Sequence, residues 1–167
     1  MQNQPWSFNT RRTLITGADR SPIEFSLLRQ LTPSFRAGLE YMPRDGRVAP
    51  LWNWRLLEAT DHRPALVLGQ GTAWPSGKVT GAAYSLTVAQ AFSDGWSAYV
   101  SASYAPDNQL WQMPAGVQRR LSKEWSTKMM WDGSKLHPFL TYHGEQVNIS
   151  LLLLDGKIPT LGLSVLF

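Results

Sequence analysis

The residues of this 167-residue chain that could do chemistry are scattered rather than gathered into a motif. No glycine-rich phosphate loop, dinucleotide fingerprint, paired-histidine zinc helix or nucleophile elbow occurs, so spacing alone announces no reaction. There is no cysteine, which removes disulfides, iron–sulfur clusters and thiolate zinc sites. The three histidines, His62, His137 and His143, offer little to any other metal. No metal and no cofactor are expected. His137 and His143 lie an even number of residues apart, hence on one side of a strand, where either could act as base towards a serine such as Ser126 or Ser150. A histidine in a polar interior is more commonly a hydrogen-bonded filler, and the chain reads as a non-enzyme.

A second group is defined by charge. Arg36, Arg55, Arg120 and Lys128 share one parity along their segments with only Glu40 opposing them, an excess of about three positive charges if all enter one confined space. Asn53, Gln118, His137 and Asn148 fall on the same parity, among small residues such as Gly38, Ser101, Ser103, Ser126 and Ser150. Such a wall suits the binding and passage of a small polar or anionic solute. Alternatively, Arg36 and Glu40 join a neighbouring arginine in a salt-bridge plug.

The elements that must position these residues are strands. Alternation with period two recurs in short segments, and no helical stripe stands out. Leu161, Leu163, Val165 and Phe167 alternate with Gly162 and Ser164, and Val147, Ile149, Leu151 and Leu153 alternate with Asn148 and Ser150. Asp155-Gly156-Lys157 makes the turn between them. The pattern predicts further strands near 6–16, 22–32, 34–43, 50–60, 64–74, 79–91, 96–105, 113–122, 124–132 and 136–143, the first being the weakest. Arg29 and Gln70 leave the parity of 22–32 and 64–74 open, and Pro138 calls for a bulge or a local break.

Twelve strands, or ten if the count is lower, fill the chain and leave no helix to cover a sheet. The fold class is therefore all-β, an up-and-down antiparallel barrel forming one domain over residues 1–167. The longer connections, 17–21, 43–49 and 106–113, are all odd-numbered and fall on one rim, with tight turns on the other. The composition, 43% apolar and 17% charged, excludes a disordered chain. No run approaches the roughly 20 apolar residues of a membrane helix. The net charge of +4 comes from dispersed cations without a basic block, so no nucleic-acid partner is expected.

The chemistry of the two faces decides between a soluble and a transmembrane barrel. The apolar set carries aromatics towards strand ends: Trp52, Trp74, Tyr104 and Trp131 towards the long-loop rim, Trp96 and Trp125 at the short-turn rim. These read as two membrane-interface girdles around a polar lumen. The last strand, Leu161-Gly162-Leu163-Ser164-Val165-Leu166-Phe167, resembles the C-terminal signal of bacterial outer-membrane β-barrel proteins. That resemblance implies a transmembrane barrel in a Gram-negative outer membrane, inserted by the assembly machinery through Phe167, with a signal peptide no longer attached. The size is similar to that of narrow specific channels, although most such barrels are acidic and this chain is basic. The expected function is a narrow, porin-like passive channel. The alternatives are a closed structural barrel whose long loops dock a partner, and a soluble lipocalin-like barrel, whose glycine-x-tryptophan strand and covering helix are missing.

Overall fold

The computed structural model describes residues 5–15, 21–73 and 81–167. Thirteen strand segments follow one another: β1 (Trp6–Thr13), β2 (Ile23–Thr32), β3 (Phe35–Met42), β4 (Arg47–Leu57), β5 (Ala65–Thr72), β6 (Ala82–Ala91), β7 (Trp96–Ala105), β8 (Leu110–Gln112), β9 (Ala115–Arg120), β10 (Trp125–Trp131), β11 (Leu136–His143), β12 (Val147–Leu154) and β13 (Ile158–Leu166). Both β8 and β9 pair with β7 and together make one stave, interrupted at Met113 and Pro114. The result is a closed, twelve-strand, up-and-down antiparallel barrel.

Closure rests on the strand that sequence patterning marks least. β1 pairs with β2 on one side and with β13 on the other, from Ser7↔Leu166 to Thr13↔Thr160. Its alternation is blurred because Thr10 and Arg12 stand on the parity that carries apolar residues in its neighbours. Hydrogen bonding compensates: Trp6 and Phe167 exchange backbone N–H···O bonds at 3.0 and 3.1 Å, so the chain ends are zipped together.

The barrel is apolar on the outside. Leu151 and Leu161 are 47% and 44% exposed, and Leu39, Val48, Leu86, Val100, Val117 and Ile149 are likewise exposed. The inward set is polar or small, with Ser101, Ser103, Ser126, Asp132, His137 and Thr160 buried. The few large apolar residues that are buried, Leu28, Met42, Met130, Leu152 and Leu154, share the inward parity with them. Arg29 and Gln70, whose parity the sequence leaves open, both face outward. Each stands opposite a tryptophan, Arg29↔Trp6 and Gln70↔Trp52.

The rims differ less than the sequence implies. At the odd-numbered rim the stretches between Thr13 and Ile23 and between Thr72 and Ala82 run through residues outside those described, whereas 43–46 and 106–109 are short. At the other rim 58–64 is a longer excursion, tied by a Thr60↔Arg63 bridge. Pro138 causes no bulge, since the β10–β11 register runs through Met129↔Pro138 without a shift. The β11–β12 ladder begins only at Phe139↔Leu152, which places a break where Pro138 has no N–H to give.

Gly38 sits on β3 opposite Leu28 of β2. An added Cβ would land on the backbone carbonyl of Leu27. Gly38→Ala is therefore expected to destabilise the folded barrel by about 1–3 kcal/mol in denaturant titrations followed by tryptophan fluorescence. Gly162→Ala, where the nearest atom is Ser150 Cβ at 3.5 Å, should leave the midpoint nearly unchanged.

Candidate functional site

The inward cations do converge, but only in part. Near the short-turn rim, Gln30 from the end of β2, Ser34 from the β2–β3 turn, Arg36 from β3, and Asn53 and Arg55 from β4 line a cavity of about 250 Å³. Register places them at one level, with Arg36 opposite both Gln30 and Asn53. Ladder irregularities at Gln30/Thr32 and Arg55/Leu57 lie at the same end. Arg55 donates to the Pro33 carbonyl at 2.8 Å and meets Glu58 at 3.4 Å, which anchors its head at the rim. Arg36 forms no ion pair among the described residues, so its planar donors are available to an anion.

Glu40 stands apart from that group. Its Oε2 accepts from both the amide and the hydroxyl of Thr72 and lines a different cavity, of about 240 Å³, alongside the Arg11–Glu24 ion pair. The alternative of an Arg36–Glu40 plug is therefore not formed among the described residues: Thr72 takes the carboxylate. Arg11 and Glu24, which sequence reasoning left out of the lumen, cancel one another. A third cavity, of about 220 Å³, continues from Asn53 along Ser85, Ser101 and Ser103 to Met130.

On the far side of the ring, Gln118 pairs with Lys128 and Arg120 with Ser126 across β9 and β10, all on the inward parity. The Lys128 ammonium lies 4.2 Å from the centroid of the Phe139 ring, which faces it across the β10–β11 pair. The lumen cations thus form two separate groups, Arg36 with Arg55 and Arg120 with Lys128.

Asn148 and His143 belong to a chain of contacts. Ser126 Oγ lies 2.7 Å from His143 Nε2, and His143 Nδ1 lies 3.3 Å from Asn148 Oδ1. Parity had placed Ser126 within reach of His143, and they do touch. However, Ser126 is only 3% exposed, and Thr141–Ser150 and Thr87–Ser101 make equivalent cross-strand bonds elsewhere on the wall. The triad-like row is one rung of a repeated polar ladder.

His137 does not line an open lumen. It is fully buried, accepts the Asp155 amide at Nδ1 (3.0 Å) and donates from Nε2 to Asp132 Oδ2 (2.8 Å). Asp132 Oδ1 also takes the Ser134 and Lys135 amides, and the Lys135 ammonium meets Asp155 at 2.9 Å. The ligand atoms of Asp132, His137 and Asp155 lie close enough together to suggest a metal. Yet both ring nitrogens already have hydrogen-bond partners, and the cluster is a lock between the β10–β11 and β12–β13 turns. It fills the gap that Pro138 opens.

Among the aromatics, Trp96 and Trp125 begin strands at the short-turn rim, and Tyr104 and Trp131 end strands at the other. Trp125 meets Tyr142 edge-on at 5.3 Å and Tyr104 meets Trp111 at 4.9 Å. Trp52 is a correction: it lies in the middle of β4 rather than towards a strand end, its indole N–H bonded to Gln70 Oε1 at 2.6 Å. Trp74 lies outside the described residues. Trp6 and Trp111 are rim aromatics that sequence reasoning passed over. No protein-family model matches the chain, and no curated protein is similar to it.

Removing the His137 ring would leave the Asp132 carboxylate and the Asp155 amide without that buried partner. His137→Ala is expected to cost about 2–3 kcal/mol of stability, read by chemical denaturation, while Ser126→Ala costs less because His143 keeps Asn148.

Proposed function

We propose that this protein is a bacterial outer-membrane β-barrel acting as a narrow passive channel for small polar or anionic solutes, without catalysis or cofactor. The observation that carries the reading is the inverted distribution of residue types: a closed barrel with leucine, valine, isoleucine and aromatic side chains exposed on the outside, and hydroxyls, amides and cations such as Arg36 within. A soluble barrel would bury the first set and expose the second, and an apolar surface this continuous needs a lipid neighbour. The same inversion speaks against the lipocalin-like alternative. Phe167, on the apolar parity at the end of the closing strand, is the residue offered to the assembly machinery.

Within the lumen an anion would meet Arg36 and Arg55 at one wall and Arg120 and Lys128 at the other, in a space where charge is weakly screened. Asn53 and Gln118 supply neutral hydrogen bonds beside each pair. A closed, non-conducting barrel is the second reading, favoured by the inward Met42, Met130, Leu152 and Leu154, which take volume from the lumen.

Planar-bilayer recordings under a salt gradient separate these readings. The channel gives steady conductance with an anion-selective reversal potential, and Arg55→Glu moves that potential severalfold towards cations in permeability ratio. Insertion without conductance would favour the closed barrel, and a monodisperse protein without detergent would overturn the membrane reading.

A further inference from the structure

The outward wall carries arginines that the channel reading does not use, and two of them lie against tryptophans. Arg29 stands directly across from Trp6 on β1 and β2, and its guanidinium carbon is 5.3 Å from the centre of the indole ring. Arg119 stands directly across from Trp96 on β9 and β7, at 5.1 Å. Both pairs lie at the short-turn rim. In the twelve-stave ring they are six staves apart, on opposite walls. Each arginine continues an otherwise apolar row, Leu27 before Arg29 and Val117 before Arg119.

A guanidinium cannot give up its charge, and on an apolar wall that charge is costly unless it reaches a polar boundary and meets an anion. Neither arginine forms an ion pair with a carboxylate among the described residues. The tryptophan face holds each guanidinium by cation–π attraction, which leaves its N–H donors to meet an anion. A planar fork presented in this way matches two oxygens of a phosphate. Arg12, the outward cation towards the other rim, has no ring beneath it among the described residues.

We infer that the Trp6–Arg29 and Trp96–Arg119 pairs are two binding sites for the phosphate headgroup of an anionic phospholipid in the leaflet at the short-turn rim. The inference rests on the membrane reading above. It adds a lipid class, a leaflet and a stoichiometry of one lipid per pair. It also gives a physical reason for the chain's basic balance: part of the positive charge serves the lipid boundary rather than the lumen.

The test uses the full chain folded into phosphatidylcholine vesicles with and without phosphatidylglycerol, then solubilised and assayed for retained lipid by native mass spectrometry. The wild type should retain phosphatidylglycerol over phosphatidylcholine. Arg29→Gln and Arg119→Gln should each lose about half of that excess, the double variant nearly all of it, and Arg12→Gln none. Circular dichroism and heat-shifted gel mobility confirm that each variant is folded. Equal retention of both lipids, or an excess unchanged in the double variant, would overturn the headgroup sites while insertion left the membrane reading standing. Displacement of the lipid by inorganic phosphate at comparable concentration would reassign the sites to free phosphate and overturn the lipid assignment. A chain that enters neither kind of vesicle would bring down both readings.

Discussion

The pairing of β1 with β13 is the constraint on which everything else turns. A sheet of this length left open would present two rows of unpaired backbone donors and acceptors, and its ends would be free to slip against one another. Joining Trp6 to Phe167 and holding register as far as Thr13↔Thr160 removes both edges. Once the ring is closed, every side chain is committed to the inside or the outside, and a one-residue slip would exchange the two faces completely. The barrel tolerates a broken ladder at Met113 and Pro114 because the Ser101 amide still finds the Pro114 carbonyl at 2.7 Å. It has no comparable substitute at the seam.

That dependence explains what could and could not be read from the sequence. Parity within a strand is local, and it correctly sorted Leu151 from Ser150, Val100 from Ser101, and Arg36 and Arg55 from Trp54. It also put His143 on the side of Ser126. It failed where a residue's meaning comes from a neighbour distant in sequence. Arg29 and Gln70 looked misplaced on an apolar face until a tryptophan appeared opposite each. Glu40 was matched with Arg36 because both lie on β3, yet its partner, Thr72, sits on β5. His137 looked like its twin, His143, because alternation carries no information about depth along the barrel. At the level of His143 the wall is a ladder of hydroxyls and amides; at the level of His137 it is a sealed turn.

The rim lock around His137 and the polar ladders lower in the wall solve one problem in two ways. A polar group placed inside a barrel must find partners or water. Where the backbone ladder is intact, adjacent hydroxyls bond across the strands, as Thr87 does with Ser101 and Thr141 with Ser150. Where Pro138 interrupts it, side chains take over the work of the backbone, and the Asp155 amide bonds to an imidazole instead of a carbonyl. The acidic side chains of that region are thereby engaged at the rim, and among the described residues Glu58, at the mouth, is the carboxylate that ion-pairs with the lumen groups of arginine and lysine.

Open and filled parts of the interior are lined by different strands. The three cavities described above are lined from β1 to β8, with Pro114 beyond β8 and Met130 reaching in from β10. The facing wall carries Leu152, Leu154 and the sealed cluster. Leu152, Leu154 and the His137 cluster take up volume where Ser85, Ser101 and Ser103 leave it, so the number of staves is a poor guide to the bore. A ring of twelve strands fixes the length of the wall, and the side chains turned inward from it set how much of the enclosed area is left empty.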